Sequence, residues 1–286
     1  HLLKTPGLTD YDSCRLQACS HPRAMRVFAI PHKGASRFGS EEWRMAIRVA
    51  LGLDICTQGR RCPACHVELP DTKGVHLITC KHFKGREVQQ RHDSLVQQLK
   101  VFFSKAGAHV HLANQEELGW FEGALRPDIV TDVLQGPRMG QAVLYDVTVT
   151  HPFKIANRNR EASRKPGAAA TLAEEAKMRK YIPKLLRPEV STFVPLGFDA
   201  FGGWGESTTR EIELHVSKVA DDEGSTRRVF TDWLSYQLSS AIWLYSSSGL
   251  CQRLKHLENQ IPNRHPNITD WLAAALVENL NGSDEQ

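Results

Sequence analysis

No run of apolar residues in this 286-residue chain approaches the ~20 that a membrane helix needs. A basic, then apolar, then small-residue leader is also missing, so nothing points to secretion. Internal repeats and low-complexity segments are absent, which excludes repeat arrays and fibrous designs. Neither sign of charge dominates: 36 Lys and Arg face 32 Asp and Glu, a net +4. That is far from an extreme nucleic-acid-binding tail. The cysteine count, seven, is odd. A secreted disulfide scaffold would be shorter and even in its cysteines. With 41% hydrophobic and 24% charged residues the chain is not disordered throughout. Its length fits one large domain or two small ones. It opens on His1 rather than Met, as expected of a processed chain or of one domain of a longer protein.

What is present falls into a readable order. Residues 1–20 are mixed and turn-rich. Trp43, Ile47, Ala50 and Leu51 recur at three- and four-residue spacing, which predicts a helix with Ser40 as its N-cap. Residues 56–82 hold Gly, Pro, four cysteines and three histidines with little periodicity. Val88, Leu95, Leu99, Phe102 and Phe103 predict a second helix, and residues 109–113 a short strand. Residues 128–134 and 142–150 read as two strands of a hairpin around a long turn. Thr171 with Glu174 three residues on reads as a capping box, and Pro183 limits the helix it opens. A strand over 192–198 and helices over 207–219 and 228–245 follow. The sum is a mixed α/β core behind an N-terminal accessory module. We divide it into a helical segment with a knuckle (1–84), a core (85–250) and a C-terminal helical tail (251–286).

Cys62, Cys65, His76 and Cys80 form C-x₂-C-x₁₀-H-x₃-C. Two residues between thiolates let both sulfurs face one ion at ~2.3 Å, as zinc requires. His76 and Cys80 are one helical turn apart, so both can converge. Four protein ligands leave no open position, which makes the expected zinc structural. His66, His82 and Cys56 are rival ligands.

Arg126-Pro127-Asp128-Ile129 opens the first hairpin strand, and Asp146 lies within the second. Residues two apart share a strand face. Val143, Tyr145, Val147 and Val149 should therefore face the core, leaving Leu144, Asp146 and Thr148 on a polar face. With the hairpin centred near Arg138, Asp128 falls opposite Thr148 and diagonal to Asp146, ~7 Å or less at Cβ. Two such carboxylates can share Mg²⁺ or Mn²⁺. That ion would serve phosphodiester hydrolysis, with a lysine to orient water or balance developing charge. The simplest place for that lysine, two residues after Asp146, is Thr148. Lys177 and Lys180, three apart on the following helix, are the substitutes.

In this order the motifs resemble the restriction-like endonuclease domain of early-branching non-LTR retrotransposons. The resemblance rests on the Cys/His knuckle, Arg91-His92-Asp93, Arg126-Pro127-Asp128, Asp146-Val147-Thr148-Val149 and Lys177-Met178-Arg179-Lys180-Tyr181. Phe193-Val194-Pro195 and Gly202-Gly203 add to it, so that it spans about residues 43–205. It implies a PD-(D/E)xK restriction-endonuclease-like α/β core whose lysine has moved from strand to helix. It implies an endonuclease that nicks target DNA and exposes a 3′-hydroxyl for priming, in one polyprotein with a reverse transcriptase. Lys177 fits the family position best, and Lys180 is the rival. Glu116 or Glu117 stands where related nucleases place a further acid. His92 could line the site or cap the knuckle, and a satisfied structural histidine is the first reading.

From residue 154 to 187 there are ten Lys and Arg but three acids, a local +7. Arg126, Arg158, Arg160, Arg164 and Lys165 are the expected DNA-phosphate contacts. The expected partner is duplex or branched DNA in an intracellular, preferentially nuclear, setting. The alternative is a catalytically silent nucleic-acid-binding or zinc-stabilised interaction domain.

Overall fold

A computed structural model describes residues 9–28, 38–83, 85–112, 119–132, 140–154, 165–189, 191–222 and 227–258, with the backbone alone at 111–112 and 217–222. Helix α1 (Asp10–Ser20) occupies the stretch read as turn-rich. Its cause is local. The Thr9 side chain accepts from Asp12 N–H at 3.2 Å, and the Asp12 carboxylate accepts from Thr9 N–H at 3.4 Å. That reciprocal pair satisfies two donors that a helix start leaves orphaned. Helix α2 (Ser40–Leu51) is capped by Gly39, so Ser40 is its first residue and not its cap. Gly52, at φ +70°, closes it through N–H bonds to the Arg48 and Val49 carbonyls, a left-handed end that suits glycine. Two further helices, α3 (Val75–Thr79) and α4 (Arg86–Lys105), lead into the sheet.

Strands β1 (His109–Leu112), β2 (Ile129–Asp132), β3 (Ala142–Thr150) and β4 (Ser191–Asp199) form one sheet in the order β1-β2-β3-β4. The first two pairings are antiparallel and β3-β4 is parallel. A parallel neighbour needs a crossover, supplied by α5 (Ala168–Tyr181). The register of β2 on β3 pairs Ile129 with Tyr145 and Asp132 with Ala142. Continued one residue outward, it sets Asp128 opposite Asp146, where the sequence reading set it opposite Thr148.

The expected capping box at Thr171 is not one. Helix α5 starts at Ala168, behind Gly167 at φ +73°. Glu174 is buried and serves another helix. Its carboxylate accepts from Ser207 N–H and Thr208 N–H, both at 2.9 Å, and from Gly197 N–H at 3.1 Å. It thereby caps α6 (Glu206–Asp222), whose Thr208 N–H is buried and Ser207 N–H half-buried. Gly197 lets α5 lie this close to β4: a Cβ there would meet the Ala170 carbonyl oxygen at 2.7 Å.

One face of the sheet carries Val143, Tyr145, Val147, Leu196 and Phe198 against Leu99, Phe102 and Phe103 of α4, Ile212 of α6 and Leu234, Leu238 and Ile242 of α7 (Arg227–Glu258). That is the face expected to be core. The opposite face is not open. Leu144 packs with Val130, Phe193, Phe121 and Tyr181 in a smaller cluster. Asp146 therefore sits in a covered face.

A third cluster joins Cys14, Val27, Ala46, Cys62 and Leu77 to Trp243, Leu250 and Leu257 of α7. Helix α7 runs without a break through residue 250, the expected core–tail boundary. Arg253 on it donates to the Leu77 carbonyl and pairs with Glu87, both at 2.7 Å. One helix thus binds the knuckle module and the core together.

Candidate metal centre and candidate active site

The knuckle is shaped by its backbone. Cys62 N–H donates to the Val67 carbonyl at 2.8 Å, and His66 N–H to the Cys62 carbonyl at 2.9 Å. His66 takes a left-handed φ of +59° to make this turn. The short helix α3 then carries His76 and ends on Cys80, whose N–H donates to the His76 carbonyl at 2.8 Å. The ligand atoms of Cys62, Cys65, His76 and Cys80 all lie within 4.8 Å of one another. Cys65 Sγ is 3.1 Å from His76 Nε2, and Cys62 Sγ is 3.9 Å from Cys80 Sγ. Three thiols and an imidazole suit a soft divalent ion such as zinc. Burial pushes the Cys62 thiol up to about 11, whereas the Val67 N–H holds Cys65 below its ordinary value. A metal takes thiolates from both, so loading releases protons. The rivals are elsewhere: His66 and His82 are exposed, and Cys56 Sγ faces the Asp71 and Thr72 carbonyls.

The second site lies where β2 enters the sheet beside β3. Asp146 is only 4% exposed. Lys177, on the last turns of α5, places Nζ 2.6 Å from Asp146 Oδ2, an ion pair in contact without an aligned hydrogen bond. The Tyr181 hydroxyl, one turn on, donates to Asp146 Oδ1 and lies 3.2 Å from the Arg126 carbonyl. Its ring stacks on Phe193 at 4.5 Å, which fixes the hydroxyl's direction. Burial raises the Asp146 carboxyl above the usual range, against the pull of Lys177 and Tyr181, and Asp128 adds to the rise.

Asp128 Oδ2 accepts from Val147 N–H at 2.6 Å and lies 3.2 Å from His92 Nε2. The hydrogen bond to Asp128 raises His92 to about 8. Among the described residues no hydrogen bond reaches Asp128 Oδ1, which leaves that oxygen for a cation. Two neighbouring carboxylates, one buried, repel each other, and the Lys177 ammonium offsets part of that repulsion at Asp146. A hard divalent ion that keeps several waters fits two carboxylates.

Of the two candidate lysines, α5 brings Lys177 to the acid. Lys180 instead holds its ammonium 5.2 Å over the Tyr181 ring. Three residues separate them, and that rotation decides which meets β3. His92 lies beside Asp128, in keeping with the alternative that it lines the site. It lies three and four residues before Leu95 and Val96, on the inward stripe of α4, where a polar side chain signals a buried partner. Lys165 is held by Glu206 at 2.6 Å and so turns toward the start of α6. Arg126 is exposed. Glu116, Glu117, Arg158, Arg160 and Arg164 lie outside the described residues. No helix of the described chain is long and apolar enough to cross a membrane.

No protein-family model matches the chain, and no curated protein matches it.

Proposed function

We propose that the chain is a metal-dependent DNA endonuclease of the PD-(D/E)xK kind with a structural zinc knuckle. The observation that carries this reading is the contact of Lys177 with Asp146 beside Asp128. Three functional groups, from the residue before β2, from β3 and from α5, meet there, and packing alone has no use for such a charged trio. Asp128 and Asp146 would hold Mg²⁺ or Mn²⁺. When bound, that ion supplies a water of lowered pKa and positive charge against the phosphoryl oxygens.

The chain's own groups do the rest. The Tyr181 hydroxyl keeps Asp146 Oδ1 in one direction, so the carboxylate stays oriented without a substrate present. The Lys177 ammonium brings a fixed positive charge to the place where negative charge develops on the phosphorane. His92 holds a proton at Asp128 Oδ2, next to the reacting centre. The knuckle, which zinc would tie together, meets α7 where Arg253 donates to the Leu77 carbonyl and pairs with Glu87 of α4. The motif order supports a place in a non-LTR retrotransposon polyprotein, nicking target DNA so that its 3′-hydroxyl primes an attached reverse transcriptase.

The test is nicking of supercoiled plasmid with Mg²⁺ or Mn²⁺. Asp128→Ala and Asp146→Ala abolish nicking while DNA binding survives. Wild-type nicking by both variants would sink the mechanism. A wild-type chain that binds DNA and never cuts it would favour the silent binding module.

A further inference from the structure

The surface beside Lys177 has an unusual composition. From residue 176 to 187 the sequence is Ala-Lys-Met-Arg-Lys-Tyr-Ile-Pro-Lys-Leu-Leu-Arg, with five cations and no acid. Within it, Met178, Ile182 and Leu186 are 39%, 44% and 54% exposed, the first two at the end of the helix and Leu186 beyond the turn that follows. Met178 and Ile182 stand four residues apart, where α5 runs on into a 3₁₀ turn over Ile182–Lys184, so they form one ridge on the outer surface. Scattered exposed apolar side chains are ordinary. These two are flanked by Lys180 and Lys184 and follow directly on Lys177 and Tyr181, the residues in contact with Asp146.

We propose that Met178 and Ile182 form a wedge that enters an unstacked base step next to the scissile phosphate. The natural substrate is then DNA already distorted there, by a mismatch or bulge, rather than perfect duplex. The inference rests on the nuclease reading and deepens it. Charge selects the occupant. Phosphates on either side of a base step match Lys180 and Lys184, while the step itself offers an apolar slot for a Met or Ile side chain. A lipid surface would want a broad apolar face, and three side chains, Met178, Ile182 and Leu186, are too few. Cations carry affinity without regard to sequence, so the ridge adds discrimination between stacked and unstacked DNA, which the lysines cannot supply.

The experiment reads unstacking and cleavage separately. Short duplexes, one matched and one with a central mismatch beside 2-aminopurine, are titrated with the zinc-loaded full chain without Mg²⁺. Anisotropy gives affinity and 2-aminopurine fluorescence gives unstacking. Wild type binds the mismatched duplex about tenfold more tightly and brightens the probe. Met178→Ser with Ile182→Ser loses the preference and the brightening, yet holds matched duplex within about twofold of wild type. Lys180→Ala with Lys184→Ala weakens both duplexes alike. Both serines replace exposed side chains, and an unchanged thermal melt shows that the fold is kept. Equal wild-type affinity for the two duplexes would overturn the proposal, as would a preference that survives the double serine change. A ridge-dependent dimer in solution or ridge-dependent binding to anionic phospholipid vesicles would also overturn it. Because no cleavage is needed, loss of the nuclease reading would show as absent nicking with Mg²⁺ while the unstacking signal stands.

Discussion

Asp146 is the most constrained charge in the candidate active site. Its two oxygens meet a lysine and a phenol, and burial works against its ionisation. Lys177 and Lys180 test this arrangement at single-residue resolution. Lys177→Ala should cut the nicking rate about 10²–10³-fold, the usual loss for a preorganised donor of charge. Lys180→Ala should cost less than about tenfold, since its contact is with a ring face. Single-turnover rates decide between them. His92 offers a second test in metal-free protein. Its ordinary value is 6.5 and its folded value about 8, so its bond to Asp128 stabilises the fold fully below 6.5 and is lost as pH rises through 8. Wild type should therefore melt above His92→Gln near about pH 6, and the two should converge above about pH 9. A gap that does not vary with pH would contradict the assignment. The nearness of Asp128 and Asp146 was legible in the strand pattern, but not their register; helical spacing left Lys177 and Lys180 on one face, and only the family resemblance favoured Lys177. The His92 contact was not legible, because the partner of an inward polar group is 36 residues away, and only tertiary packing shows it.

Glu174 shows how an element-level reading goes wrong. A Thr three residues before a Glu satisfies the pattern of a capping box, and the sequence has nothing to say against it. The donors of α6, 33 and 34 residues further on, compete for the carboxylate and win because the Thr208 N–H is buried and the Ser207 N–H half-buried. Glu174→Ala should thus destabilise the chain by about 2–4 kcal/mol, measured by urea unfolding, since several buried N–H groups lose their acceptor together. A loss below about 0.5 kcal/mol would return Glu174 to an ordinary surface role. The strands were more legible than the helix caps. Their β-branched, alternating runs leave few ways to pair, whereas the register of β2 on β3 depends on a turn whose geometry a sequence does not dictate. The same lack of dictation hid α1, although Thr9 and Asp12 carry its start.

For the whole molecule, the knuckle and the sheet are one structure because α7 crosses both. The sequence reading ended this helix at 245 and put a boundary at 250, where the helix in fact runs on for 32 residues in all, from Arg227 to Glu258. The metal should therefore matter for the fold and not for the reacting atoms. Metal analysis should find one zinc per chain, and Cys62→Ser should lower both zinc content and solubility. A stable zinc-free protein would remove the structural metal. The most direct test of the central claim is the time course of plasmid nicking by the zinc-loaded chain as Mg²⁺ is withheld and then added, with Asp146→Asn run beside it. The account predicts no nicking before Mg²⁺, prompt nicking after it, and none from the variant although it binds the plasmid as wild type does. Nicking without a divalent ion, or equal nicking by Asp146→Asn, would contradict it.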